Sequence, residues 1–471
     1  MICSHDPQHK FAQLQLQIFD TGILCNVKVV ADKQDGVFLM ATDTELGIRV
    51  RVNADVLKNR EALLPPKQFL QILESANEAW LTLEGTKTGI TLTGGHYGKE
   101  RWTLDTLPPD EFPVLADFTE TAYHEIPAFA MHDVIRSTMF AVDDENDKYA
   151  LGGVCFETGT DGAWCAVATD GRRLAVKTSV GTNVNGHTFA PAVLPVNTLK
   201  LLSKVLKDKS VHVTDSVKMA IHTTVKDNQK TSGSVQFQCN DVTLFSRLLE
   251  GRFPKWQSIM PTTDDRLHAQ IRCETLRTAV KQMITSDLEP GVLFAFRRGS
   301  LTLASLAKES GQAKAVLPLS FDGTADFIFD LSYIRDYLRV LEADTVVDIF
   351  MAAINDPVLF VTGDGYRYLV MPMDHIKFAI PVNVATDTEP ETAKPDADTG
   401  IEVVGQTSTE EEEPMKHTVK SPCPDNELET KVFQLLQEND QLRAKAEHYK
   451  ALLERAMRML EKTKADQCLC A

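Results

Sequence analysis

The chain has 471 residues, 43% of them hydrophobic and 24% charged, with a net charge of −17. This is a globular composition with room for about three domains of ~100–150 residues. No apolar run approaches the ~20 residues of a membrane span. The start Met1-Ile2-Cys3-Ser4-His5-Asp6 lacks a signal-peptide layout, and nine irregularly spaced cysteines point to reduced thiols in a cytoplasmic protein.

In chain order, the first recognisable element is a strand, tight polar turn and strand at Met40-Ala41-Thr42-Asp43-Thr44-Glu45-Leu46-Gly47. Apolar spacing then predicts a helix over Pro66-Lys67-Gln68-Phe69-Leu70-Gln71-Ile72-Leu73 and a strand at Trp80-Leu81-Thr82-Leu83. One domain length after the first turn comes its stronger copy, Val167-Ala168-Thr169-Asp170-Gly171-Arg172-Arg173-Leu174-Ala175, preceded by Tyr149-Ala150-Leu151-Gly152-Gly153-Val154. The helix and strand recur at Pro195 to Leu202 and Val211-His212-Val213, and again at Asp330 to Leu338 and Val346 to Phe350. Phe112-Pro113 and Phe253-Pro254 close the first two repeats alike. A unit of this size, repeated, predicts one large object made of similar domains. Strands outnumber helices, so the fold class is α+β, with domains at 1–120, 121–255 and 256–382.

The character changes after Val382. Between Asn383 and Met415 ten acidic residues face Lys394 alone, so 383–425 is expected to be a disordered acidic linker. Residues 426–464 then carry heptad spacing through Leu428, Val432, Leu435, Asn439, Leu442, Ala446, Tyr449, Leu453, Ala456 and Leu460. This predicts a coiled-coil helix with a buried amide at Asn439. The remainder, 1–382, keeps an acidic balance of −9. Binding to a polyanion would therefore need basic residues gathered on one surface.

Catalytic signatures are missing. There is no phosphate-binding glycine loop with Lys-Ser/Thr, no His-Glu-x-x-His and no Gly-x-Ser-x-Gly. Adjacent carboxylates at Asp143-Asp144 and Asp264-Asp265 read as solvated turns. No cofactor, metal or enzyme activity is expected.

Taken together, the Tyr149 to Glu157 run, Ala168 to Ala175, Asp241 through Pro254 and Tyr368-Leu369-Val370-Met371-Pro372-Met373 resemble the bacterial DNA polymerase III beta subunit, the sliding clamp. The resemblance covers residues ~20–373. It implies a ring-shaped homodimer of three-domain protomers, with sheets outside and helices lining a hole that surrounds duplex DNA. Basic residues on the helices fit such a lining: Arg136, Lys200, Lys204, Lys207, Arg277, Lys281, Arg335 and Arg339, several of them four apart on one helix face. The resemblance also implies a cleft for short linear peptides of polymerase, clamp loader and repair proteins. Its walls would be Leu151, Leu174, Pro254, Ile259, Val370, Met371, Pro372 and Met373, its polar rim Thr169, Gly171, Arg172, Arg173 and Tyr333. Trp102 and Leu104 match one side of the family's dimer contact, Met283 and Ile284 the other.

Two features depart from the family. The loop Asp143-Asp144-Glu145-Asn146-Asp147-Lys148 is acidic where the family touches DNA, and only about twenty residues precede Gly22, so the N-terminus is expected to be atypical or shortened relative to the family. The expected function is a DNA sliding clamp acting as a non-enzymatic processivity factor. The alternative is a degenerate clamp-like paralogue, a scaffold that does not encircle DNA.

Overall fold

The computed structural model describes residues 2–4 and 22–374, apart from 76–79, 87–88, 95–99, 114, 116, 144–149, 159–162, 180, 209, 213, 226–230, 284–289 and 307–312. The chain divides into two compact units, Met1–Val384 and Ala385–Ala471. The whole second unit, with most of the expected linker and all of the coiled coil, lies outside the described residues, as do most of the short N-terminal stretch and the acidic loop beyond Asp143.

Five helices stand among the described residues: α1 (Pro66–Ser75), α2 (Ala128–Thr138), α3 (Val196–Leu206), α4 (Cys273–Gln282) and α5 (Leu331–Val340). Proline at or just before the first turn starts three of them, at Pro66, Pro127 and Pro195, where its missing N–H costs nothing. The start of α5 is held by Asp330, whose carboxylate accepts from the Ser332 amide at 2.9 Å. Each helix buries one stripe. In α3 the stripe is Leu199, Leu201, Leu202, Val205 and Leu206, while Asn197, Lys200 and Lys204 face out.

Around these helices the chain runs as strand, helix and three strands, twice per module. In the second module the first such unit is Tyr123–Pro127, α2, Gly153–Thr158, Trp164–Thr169 and Arg173–Ser179. The second is Ala192–Pro195, α3, Ser216–Val225, Thr231–Cys239 and Val242–Arg247. The third module repeats the pattern from Leu267–Arg272 to Tyr366–Val370. In the first module the pattern is complete around α1, and residues 5–21 lie outside the described set.

Sheets run across the module boundaries. A nine-stranded sheet pairs Val242–Arg247 of the second module with Leu46–Val52 of the first, and an eight-stranded sheet pairs Arg173–Ser179 with Tyr366–Val370 of the third. A five-stranded sheet remains in the first module and a four-stranded sheet in the third. Helices α2 and α3 pack together, α4 packs on α5, and α2 reaches α5 across the boundary.

The third module is anchored by aromatics. Tyr337 stacks on Tyr368 with ring centres 4.7 Å apart, and Phe294, Phe329 and Phe360 extend the group. Each such pair adds about 1 kcal/mol beyond area burial.

One expected strand is displaced. Val211 and His212 lie in a turn, and the strand begins only at Ser216. The cause is side-chain competition for the backbone: Asp208 accepts from the Ser210 amide and Asp215 from the His212 amide, each at 2.8 Å. Asp264 and Asp265 sit in an exposed turn, as expected. No described helix is long and apolar enough to cross a membrane.

Candidate partner cleft, helix face and open edges

The Thr169–Arg173 turn is set by its own side chains. The Thr169 hydroxyl donates to the Arg173 carbonyl at 2.6 Å and accepts from the Gly171 amide at 3.0 Å. Asp170 accepts from the amides of Arg172 and Arg173, both at 2.9 Å. Gly171 has φ +83°, a conformation that glycine enters without steric cost. From this turn Arg173 pairs with Val370 and Leu174 with Leu369. The Met371 amide extends the ladder to the Arg172 carbonyl at 2.8 Å, and the Met373 amide bonds the Ile328 carbonyl at 2.7 Å.

The structure thus brings Thr169, Gly171, Arg172, Arg173, Leu174, Tyr333, Val370 and Met371 together at one module boundary. Their exposures differ from the expected walls and rim. Leu151, Leu174 and Val370 are buried and form packing beneath the surface. The open apolar groups are Met371, 42% exposed, and Ile259, 53% exposed, with Pro254, Pro372 and Met373 half-buried. Leu174 belongs to a layer with Leu369 and Trp256, which Phe253 and Met260 also cover. Through that layer the Pro254 to Ile259 segment joins the site.

Arg173 requires a correction. It was expected on the polar rim, yet its side chain is 10% exposed. Its guanidinium donates to Asp170 at 2.9 Å, to Asp336 at 2.8 Å and to the Phe140 carbonyl at 2.8 Å, and lies 4.5 Å from the Tyr333 ring centre. Burial alone would lower its pKa, but Tyr368, Asp336 and Asp170 outweigh that and raise it. Arg172 is the exposed cation of the rim.

The helix residues divide likewise. Lys200, Lys204, Lys207, Lys281, Arg335 and Arg339 are exposed. His132 is pushed below its ordinary pKa by burial and then by Lys207 and Arg136. Arg136 is paired with Asp133 at 3.1 Å and Glu342 at 3.5 Å. Arg277 departs most from a free lining cation. It donates to Glu274 at 2.7 Å and to the Leu338 and Leu341 carbonyls at 2.8 Å, capping the end of α5.

Each sheet ends in edge strands among the described residues. Glu100–Asp105 is one edge of the five-stranded sheet and Lys314–Pro318 one edge of the four-stranded sheet. Trp102 is half-buried and Leu104 buried on the first. On the other side Met283 is buried, 3% exposed, its carbonyl taken by Arg335 at 3.3 Å; Ile284 lies outside the described residues. The exposed apolar group of that edge is Val316, 60% exposed.

Several site residues carried no motif. Lys177 pairs with Asp133 at 2.9 Å and with Asp364, while the Tyr366 hydroxyl donates to the Ser137 carbonyl at 2.7 Å. The available signal was a lone lysine in the apolar run Leu174-Ala175-Val176-Lys177. Among the described residues no group of three or more His, Cys, Asp or Glu could hold a metal ion.

Three similar modules sharing sheets across their boundaries, with helices packed together against them, define the clamp fold. Residues 20–116 match the DNA polymerase III beta subunit N-terminal domain and residues 125–255 its central domain. Over these residues the chain is similar to the DNA polymerase III beta subunit family. It is 28% identical over 366 residues to the beta sliding clamp of Halalkalibacterium halodurans, covering 74% of this chain and 92% of that protein. To the beta sliding clamp of Rickettsia bellii it is 25% identical over 369 residues, with the same coverage of 74% and 92%. The sliding clamp of Pseudomonas aeruginosa bound to griselimycin has the same fold, with a TM-score of 0.68 at 21% identity over 78% of this chain and 97% of that one.

Proposed function

We propose that this protein is a DNA sliding clamp, a non-enzymatic processivity factor acting at the bacterial nucleoid in the cytoplasm. Two protomers join head to tail, the Glu100–Asp105 edge of one against the Lys314–Pro318 edge of the other, and close a ring around duplex DNA. The observation that carries this reading is that Glu100–Asp105 in the first module and Lys314–Pro318 in the third are both terminal strands of their sheets. An open strand edge with an exposed apolar group, such as Val316, needs a partner, and two edges on one chain let copies join head to tail, closing a ring where the rotation allows.

Exposed cations at Lys200, Lys204, Lys207, Lys281, Arg335 and Arg339 support contact with phosphates, without base readout. The ring works by confinement: dissociation becomes sliding, and a tethered polymerase stays at high effective concentration. Polymerase, clamp loader and repair proteins would dock short peptides on Met371, Pro372, Met373 and Ile259, with Arg172 at the rim. Retention on nicked circular DNA, with release after linearisation, tests the reading. Equal retention on both, or none, overturns it.

One observation favours the second reading, a clamp-like scaffold that does not encircle DNA. Arg136 and Arg277 are already paired within the protomer, which weakens the positive face. The same experiment separates the two.

A further inference from the structure

The two module boundaries share one backbone plan. Leu46 pairs with Ser246 and Val50 with Val242 in the nine-stranded sheet. Arg173 pairs with Val370 and Lys177 with Tyr366 in the same relative register of the eight-stranded sheet. The Arg247 amide donates to the Glu45 carbonyl at 2.8 Å, just as the Met371 amide does to the Arg172 carbonyl. Even the turns match: Thr42 accepts from the Thr44 amide and donates to the Leu46 carbonyl, both at 3.0 Å.

The inward side chains do not match. Where the first boundary has Leu46, Val50, Leu244 and Val242, the second has Arg173, Lys177, Tyr368 and Tyr366. Apolar contacts are non-directional and tolerate sliding. Hydrogen-bonded ion pairs fix distance and angle. Lys177 is 8% exposed and joins Asp133 on α2 to Asp364, in the turn before the strand that ends at Val370. Asp364 is also held by the Thr362 hydroxyl. Burial would raise the Asp364 pKa, but the bonds from Lys177 and Thr362 outweigh it and hold it low.

Strand geometry connects this to the cleft. Side chains alternate across a strand, so Arg173 and Lys177 point one way while Leu174 and Val176 point to the outer layer. Whatever fixes the inner face of Arg173–Ser179 against Tyr366–Val370 also fixes the outer groups, and with them Met371. We propose that Lys177 is a positioning residue of the peptide cleft: its bridge from Asp133 to Asp364 sets the approach of Met371–Met373 to Arg172, although Lys177 itself does not touch the peptide. This inference rests on the cleft reading above.

The test uses the full chain and griselimycin, the ligand of the Pseudomonas aeruginosa structure, titrated calorimetrically against wild type, Met371→Ala, Lys177→Met, Lys177→Arg and Asp364→Asn. Binding weakened about tenfold in Lys177→Met and Asp364→Asn, and recovered to within about threefold in Lys177→Arg, supports the proposal. Unchanged affinity in Asp364→Asn, with Met371→Ala weakened, overturns it and leaves the cleft reading intact. A role in stability alone would lower the melting temperature and leave affinity untouched, which also overturns it. If Lys177→Met fails to fold, Asp364→Asn decides, because Asp364 is half exposed. Absence of binding to wild type, or full binding to Met371→Ala, removes the cleft reading itself and this inference with it.

Discussion

The guanidinium of Arg173 in the second module donates to the Asp336 carboxylate of the third at 2.8 Å, across a boundary that the backbone ladder already closes. Removing one partner of such a buried pair leaves the other charge uncompensated. Arg173→Met is expected to destabilise the protein by about 3 kcal/mol. Asp336→Asn, which keeps an acceptor for Arg173, should cost about 1 kcal/mol. Chemical denaturation followed by circular dichroism reads both, and equal small losses would show that the pair carries little.

The dimer edge gives a second prediction. Val316 is 60% exposed on the open strand Lys314–Pro318. A charge placed there blocks edge-to-edge pairing without disturbing the core. Val316→Glu is expected to halve the mass of the assembly in sedimentation while leaving the melting temperature of the protomer within a few degrees. A dimer of unchanged strength would mean that another surface holds the ring.

Basic residues on the helices should separate by role. Lys204 and Lys207 are exposed, whereas Arg277 caps α5 through two carbonyls. Lys204→Ala with Lys207→Ala should weaken DNA binding and flatten its log–log salt slope by about 0.9 for each phosphate left unneutralised. Arg277→Ala should instead cost about 2 kcal/mol of stability, since it strands buried carbonyls, with little change in that salt slope. Salt titration of DNA binding beside thermal melting would expose the reverse pattern.

Acid should loosen the second module through His187. The Ile221 amide donates to His187 Nε2 at 3.2 Å, so that nitrogen is unprotonated, and Nδ1 faces His124 Nδ1 at 3.1 Å. Burial, then His124 and His222, lower the His187 pKa from 6.5 to about 4. A pKa depressed on folding means that the unfolded chain binds the proton first. The stabilisation is therefore complete above pH 6.5 and falls as pH drops towards about 4. Melting temperature should decrease between about pH 7 and pH 5, and His187→Gln should flatten that dependence. An equal slope in wild type and variant would assign the acid sensitivity elsewhere.

Much of the site could be read directly. The Thr169-Asp170-Gly171 turn was visible because local side-chain bonds and one positive φ determine it, with no help from distant residues. Met371 and Arg172 came instead from the resemblance to the family's motifs, and both are exposed. Arg277 was read as an open cation because sequence spacing reports which helix face a charge occupies, and Arg173 was placed on the rim by resemblance alone. Spacing does not report what another module brings against that face.

That contrast has a physical basis. Repeat length, α+β class, helix stripes and turn chemistry depend on interactions among neighbours in the chain, so the residues themselves determined them. Tertiary structure alone decided that two boundaries with one backbone register would differ in side-chain chemistry, Val50 and Val242 at one and Lys177 and Tyr366 at the other. It likewise decided that Val316, not Met283, would stand open at the edge. Burial and charge pairing join residues far apart in the chain, Arg173 with Asp336 at a separation of 163 and Lys177 with Asp364 at 187, and only the folded packing brings those groups within reach.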